Sequence, residues 1–247
     1  NPELILAATR PSSSLPQLTA RVGYDNTRVH PFSISPEDGL SGNTQVRHRW
    51  DQGRPTSHTG KPWIDGSWSD ATGTLKLFKA LTLPGFAHHV LAFRISGGAA
   101  RGGGAHGMFY SVGGAAGEAE QISGVALLGE STFQFPVRGY PWGVKTGSNA
   151  WSASVEYRFP LTRLHQGLGA TPVYGDWISG TVFLDAGNAW GPETVNTSRG
   201  RVASIGAELL FSGLPLWTNS TLLRAGLAFP QAEKRRATAY LRLGLPF

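Results

Sequence analysis

The sequence predicts an all-β protein, a transmembrane antiparallel β-barrel, and three observations predict it. Runs along most of the chain alternate residue by residue, with one face aliphatic or aromatic and the other polar, charged or glycine. Connections between these runs switch between short and long, as in outer-membrane barrels that carry tight turns at one end and long loops at the other. The composition pairs 33 glycines and 8 tryptophans with no cysteine, which disfavours helix and removes disulfides, thiolate metal sites and cysteine nucleophiles together.

In chain order, nine strands emerge, with 3–9 as a candidate tenth. Residues 18–25, 44–50 and 74–83 alternate weakly, and Lys79 falls on the nominally apolar face of the third. In 89–96, Leu91, Phe93 and Ile95 point outward. In 151–159, Ala153, Val155 and Tyr157 oppose Ser152, Ser154, Glu156 and Arg158. In 179–187, Val182, Leu184 and Ala186 oppose Thr181, Phe183, Asp185 and Gly187. In 203–211, Ile205, Ala207, Leu209 and Phe211 oppose Ser204, Gly206 and Glu208. In 221–229, Leu223, Ala225, Leu227 and Phe229 oppose Arg224 and Gly226. The pattern is strictest in 238–247, where Ala239, Leu241, Leu243, Leu245 and Phe247 oppose Thr238, Tyr240, Arg242 and Gly244.

Residues 35–39, 83–87 and 212–217 read as short turns, and 51–73 and 97–149 as long polar loops. A water-soluble β-sandwich with one buried face has the same alternation. Two features weigh against it: strand-end aromatics (Trp50, Trp151, Trp190, Trp217 and Tyr24) suit interfacial girdles, and nearly every polar face carries charge or glycine, as a wet lumen would. The net charge of +6 then falls mostly on lumen and loops, which argues against nucleic acid as a partner. No apolar run approaches the ~20 residues of a spanning helix. The chain opens Asn1-Pro2-Glu3 and holds its one methionine at Met108, which reads as a processed product or a piece of a longer polypeptide.

Glu156 and Asp185 lie on the polar faces of consecutive strands, so both carboxylates point to the same interior. The loop just before the Glu156 strand contains FPVRGYPW (135–142), and a guanidinium at Arg138 folded inward would bridge both with its planar fork of donors. The alternative at this level is three lumenal charges solvated separately. Chemistry of other kinds finds little support. Gly102, Gly104 and Gly107 match a G-x-G-x-x-G spacing, but no convincing helix follows to hold a dinucleotide. His88 and His89 are neighbours on a strand and face opposite sides, so they do not share a metal easily. The reading is therefore of a non-enzyme, without cofactor or metal.

VRGY at 137–140, VEYRFPL at 155–161, FLDAG at 183–187 and the terminal Phe247 together resemble the C-terminal barrel of the Omp85 superfamily, the surface antigen D15-like family of BamA, TamA and two-partner-secretion types. In that family the (V/F)RG(F/Y) motif lies on the sixth extracellular loop, before the twelfth of 16 strands, and F-x-D-x-G lies on the thirteenth. Counting back from Phe247 puts the Asp185 and Glu156 strands at those two places. The resemblance implies that 1–247 is the C-terminal portion of a 16-stranded barrel in the bacterial outer membrane, with a long extracellular loop at about 97–149. It implies pairing of Arg138 with Glu156 and Asp185, supported by Gly139, Tyr140 and Gly187. It also implies a terminal assembly signal formed by Ala239, Leu241, Leu243, Leu245 and Phe247. The implied work is insertion of outer-membrane proteins or translocation of polypeptide. The implied partners are outer-membrane lipid and lipopolysaccharide, unfolded outer-membrane or secreted polypeptides, and either the N-terminal remainder of the barrel or a partner chain. A two-partner-secretion pore, or a structural barrel anchoring a fused domain or a multiprotein complex, are the competing readings.

Overall fold

A computed structural model describes residues 17–50, 67–102, 110–115, 120–122, 132–167, 169, 173–191, 200–215, 221–231 and 236–244. The described residues contain strands and no helix. They are β1 (Gln17–Asp25), β2 (Gly39–Arg49), β3 (Trp68–Leu81), β4 (His89–Gly102), β5 (Tyr110–Val112), β6 (Glu120–Ile122), β7 (Thr132–Phe135), β8 (Lys145–Gly147), β9 (Asn149–Gly167), β10 (Val173–Trp190), β11 (Val202–Pro215), β12 (Thr221–Pro230) and β13 (Thr238–Gly244). Nine of them form one antiparallel sheet in the order β1-β2-β3-β4-β9-β10-β11-β12-β13. The nine strands read from alternation are these nine; 3–9, Trp217, Leu245 and Phe247 lie outside the described residues.

Period two separates the two faces as the side-chain chemistry dictates. Leu91, Ile95, Val155, Val182, Leu184, Ile205, Leu209, Leu227 and Leu241 stand exposed on the outer face. Ser152, Ser154, Glu156, Thr181, Asp185, Ser204 and Glu208 are buried on the inner one. Polar inside and aliphatic outside reverses the arrangement of a water-soluble sheet. Lys79 keeps its ammonium on the outer face by pairing with Asp38 at 3.0 Å.

The inner face is filled by the connection between β4 and β9. This segment was expected to be irregular over 97–149, but β4 continues to Gly102 and the segment holds a second sheet, β6-β7-β5-β8. Its β5 and β7 run parallel, with Tyr110 opposite Phe133 and Val112 opposite Phe135. Tyr110, Val112, Phe135, Val137, Tyr140 and Val144 from this insert pack with Trp68 of β3, Ala100 of β4, Ala150 of β9, Ala189 of β10 and Val202 of β11. One compact cluster touching five successive strands requires the large sheet to curl around it. Small residues permit the approach, since a Cβ on Gly98 would lie 2.6 Å from the Tyr110 ring.

The opposite end differs from expectation as well. The connection between β1 and β2 is not a tight turn at 35–39 but spans 26–38, and it folds inward. Ile34 is buried against Trp177, Leu210 and Leu222, with Phe86 and Ala87 of the β3–β4 turn beside them. Glu37 is held there by the Ser33 hydroxyl at 2.6 Å and by His88 Nδ1 at 2.7 Å. A turn at one edge of the sheet thus reaches β10, β11 and β12 near the other edge, which is a second sign of strong curvature. The long connection read over 51–73 ends earlier, at the start of β3, and β11 runs on to Pro215 through part of the turn read at 212–217.

Ile34→Ala should destabilise the fold by about 2–4 kcal/mol, the usual range for emptying a buried aliphatic site. Urea unfolding reads the shift, and protease should cut within 26–38 sooner; an unchanged midpoint would show that this cluster does not hold the curl.

Candidate functional site

Arg138 sits in the turn that follows β7, where Phe135, Pro136 and Val137 are fully buried and fix the approach of the chain. Val137 enters the insert's apolar cluster, so the next side chain is thrown to the opposite side, onto the polar inner face of the large sheet. Its guanidinium, 2% exposed, lies among three carboxylates. Nε is 2.7 Å from Asp185 Oδ2, and one terminal nitrogen is 2.7 Å from Asp185 Oδ1 and 2.8 Å from Glu156 Oε1. The other terminal nitrogen is 3.4 Å from Glu208 Oε1. The Arg138 backbone N–H also donates to Asp185 Oδ2 at 3.0 Å.

Three consecutive strands supply these acids: Glu156 on β9, Asp185 on β10 and Glu208 on β11. Ser154, opposite Asp185 in the ladder, accepts from Arg138 at 2.9 Å and donates to Asp185 at 2.7 Å. Phe183, two residues before Asp185 and hence on the same face, lies under the guanidinium at 3.5 Å from its ring centroid. Burial alone would lower the Arg138 pKa, but Glu156, Asp185 and Glu208 outweigh it and hold the group well above its ordinary value. The arginine is therefore a fixed charge, paired on every side, as a buried ion must be.

The rest of the motif explains why its neighbours are glycines and an aromatic. Gly139 has φ +88°, a left-handed conformation that favours glycine, and a Cβ there would also lie 2.9 Å from the Ala228 methyl. The Tyr140 hydroxyl donates to the Ala203 carbonyl at 2.9 Å, and its own carbonyl accepts from the Gly114 N–H at 2.9 Å. Gly187 makes room for the insert, because a Cβ at that position would stand 2.8 Å from Val137 Cγ2 and 3.0 Å from Val112 Cγ1. Arg138, Gly139, Tyr140, Glu156, Asp185 and Gly187 are thus brought to one place. Ala239, Leu241 and Leu243 are not part of it and line the outer face of β13.

Residues not singled out from sequence complete the network. Glu208 Oε1 also accepts from the Tyr240 hydroxyl at 2.7 Å and from Arg242 at 3.0 Å, while Arg224 lies 3.6 Å from Oε2. Arg158 pairs with Glu156 Oε2 at 2.7 Å. The available signal was parity, since Glu208 shares the inner face with Ser204 and Gly206 on the next strand along. A second buried pair, Arg47 with Asp70 at 2.7 and 3.1 Å, joins β2 to β3 in register. Tyr110 of the insert packs with Trp68 near this pair, and burial together with the Asp70 charge pushes its phenol well up from the ordinary value.

His88 and His89 part company, the first reaching Glu37 and the second the Tyr157 hydroxyl at 2.7 Å. Among the described residues no group of three or more His, Cys, Asp or Glu side chains is placed so that it could hold a metal ion. No protein-family model matches the chain, and no curated protein or solved structure matches it.

Asp185→Asn should cost about 3 kcal/mol or more, because it leaves a buried guanidinium underpaired. Asp38→Asn, which breaks the exposed pair with Lys79, should leave the unfolding midpoint unchanged. Gly187→Val should cost about 1–3 kcal/mol by driving the insert off β10; equal midpoints for wild type and this variant would contradict the close packing of Val137 on β10.

Proposed function

We propose that the chain is the C-terminal part of an Omp85-type β-barrel of the bacterial outer membrane, which inserts outer-membrane proteins or passes polypeptide across the membrane. The observation that carries this reading is the Arg138 site. The arginine of the VRGY segment, the glutamate of the following strand and the aspartate of FLDAG meet within 2.8 Å, from separate elements and in the order the resemblance requires. No reacting group, metal or cofactor enters the proposed work; the site braces the long loop inside the wall.

The outer face supports a lipid environment. Leu184, Leu209 and Leu227 are each 51% exposed and belong to a continuous aliphatic band that would drive association in water. Trp50 and Trp190 stand exposed at the long-loop ends of β2 and β10, where interfacial aromatics belong. From Trp151 to Phe159, β9 offers a segment close to the 9–11 residues with which a tilted strand crosses hydrocarbon.

β1 and β13 each pair with one neighbour among the described residues. Unpaired strand edges in hydrocarbon cost several kcal/mol per backbone group. The proposal therefore includes further strands, from the N-terminal remainder of the barrel or from a partner chain, and it makes the β13 edge the place where substrate strands add.

Full-length chain reconstituted into liposomes should raise the yield of folded, protease-resistant reporter barrel, and Arg138→Glu should cut that gain at least about tenfold, the order expected for reversing a buried paired charge. No gain from wild type would sink the insertion reading, and transport of one dedicated polypeptide instead would favour a secretion pore.

A further inference from the structure

Among the described residues, the last strand is held from one side only. β13 forms its ladder with β12 from Thr238 to Gly244, and among the described residues no strand pairs its other edge. Its outward side chains contribute little anchorage, with Leu241 70% and Leu243 74% exposed. Its inward side chains are Thr238, Tyr240 and Arg242, and each of the three leads to the Arg138 site. The Thr238 hydroxyl donates to the Gly139 carbonyl at 3.2 Å, which ties the strand directly to the loop. Tyr240 lays its ring over Gly226, where a Cβ would fall 2.6 Å from the hydroxyl oxygen, and donates that hydroxyl to Glu208. Arg242 donates to the same carboxylate.

The decisive detail is that one atom serves both sides. Glu208 Oε1 takes the Tyr240 hydroxyl at 2.7 Å and Arg242 at 3.0 Å from the terminal strand, and Arg138 at 3.4 Å from the loop. Glu208 lies on β11, two strands from β13, so no ladder hydrogen bond can carry this connection.

We propose that Glu208 is a positioning residue that couples the Arg138 loop to the terminal strand, so that displacement of the loop releases β13 from the interior and readies its edge for strand exchange. The physical route is short. When the guanidinium leaves, Glu208 Oε1 loses one of the three donors that fix its position, so the carboxylate is free to turn toward Arg224 and away from Tyr240 and Arg242, while Thr238 loses the Gly139 carbonyl at the same moment. What remains is the β12 ladder, the Tyr240 ring over Gly226 and a less firmly placed Glu208. The link to strand exchange rests on the barrel reading above; the coupling between loop and strand does not.

Hydrogen exchange of the full chain in detergent micelles tests the coupling, with amides of 236–244 as the reporter and those of 221–231 as the internal reference. Tyr240→Phe keeps the ring over Gly226 and removes only the hydroxyl. Glu208→Gln keeps the volume and removes the charge. Each should speed exchange in β13 by about tenfold, the size of losing one hydrogen bond to a charged group, and leave β12 within about twofold. Arg138→Gln should loosen β13 as well, and in the Glu208→Gln background it should add little, because both changes cut the same link. Arg138→Gln that loosens 132–147 but leaves β13 unchanged would overturn the proposal, as would fully additive effects. Reporter insertion in liposomes is scored separately, so coupling without insertion activity would refute the barrel function alone, and insertion activity without coupling would refute this inference alone.

Discussion

A buried guanidinium must be neutralised where it sits, and the position of Arg138 depends on three carboxylates that reach it from three consecutive strands. Each structural feature around it follows from that demand. The large sheet has to curl so that β9, β10 and β11 present their inner faces to one point. The insert has to turn sharply after Phe135, which needs the left-handed Gly139, and it has to lie close on β10, which needs Gly187. Phe183 closes the space beneath the cation.

The interior is thus organised by charge and the exterior by aliphatic surface. Two buried networks, one around Arg138 and one at Arg47–Asp70, lie on different parts of the large sheet, and the insert's cluster of Tyr110, Phe135 and Val137 spans the distance between them. Buried charge pairs favour one arrangement over its neighbours, because a shift of one residue would leave a charge unmatched in a low-dielectric interior. The inner face is therefore specified side chain by side chain. The outer face is specified only as apolar. β13 stands between these regimes, tied inside by Tyr240 and Arg242, with Leu241 and Leu243 exposed outside.

Much of this is legible in the sequence. Alternation with period two assigned nine strands and their faces, because a residue's parity along a strand decides which side it occupies whatever the strand pairs with. Parity also placed Glu156 and Asp185 on the inside, and the resemblance of VRGY and FLDAG pointed to Arg138 as their partner. The insert was not legible. Its strands are three or four residues long, they occur in a glycine-rich tract, and the parallel pairing of β5 with β7 joins segments separated by another strand. A run that short carries too little pattern to distinguish a strand from a loop.

What the sequence determined by itself was local: strand, face and sign of charge, each set by covalent chemistry and the pleat. What only the tertiary structure decided was register and proximity. Parity put Glu208 on the inner face along with other polar residues, but nothing local singled it out, and Asp70 fell in a stretch read as loop. Glu208 meets Arg138 and Tyr240 because β11 is offset against β10 and β12 by a particular number of residues, and Arg47 meets Asp70 for the same reason on β2 and β3. That offset is settled by the whole set of cross-strand pairs at once, and for this reason it cannot be read from any one strand.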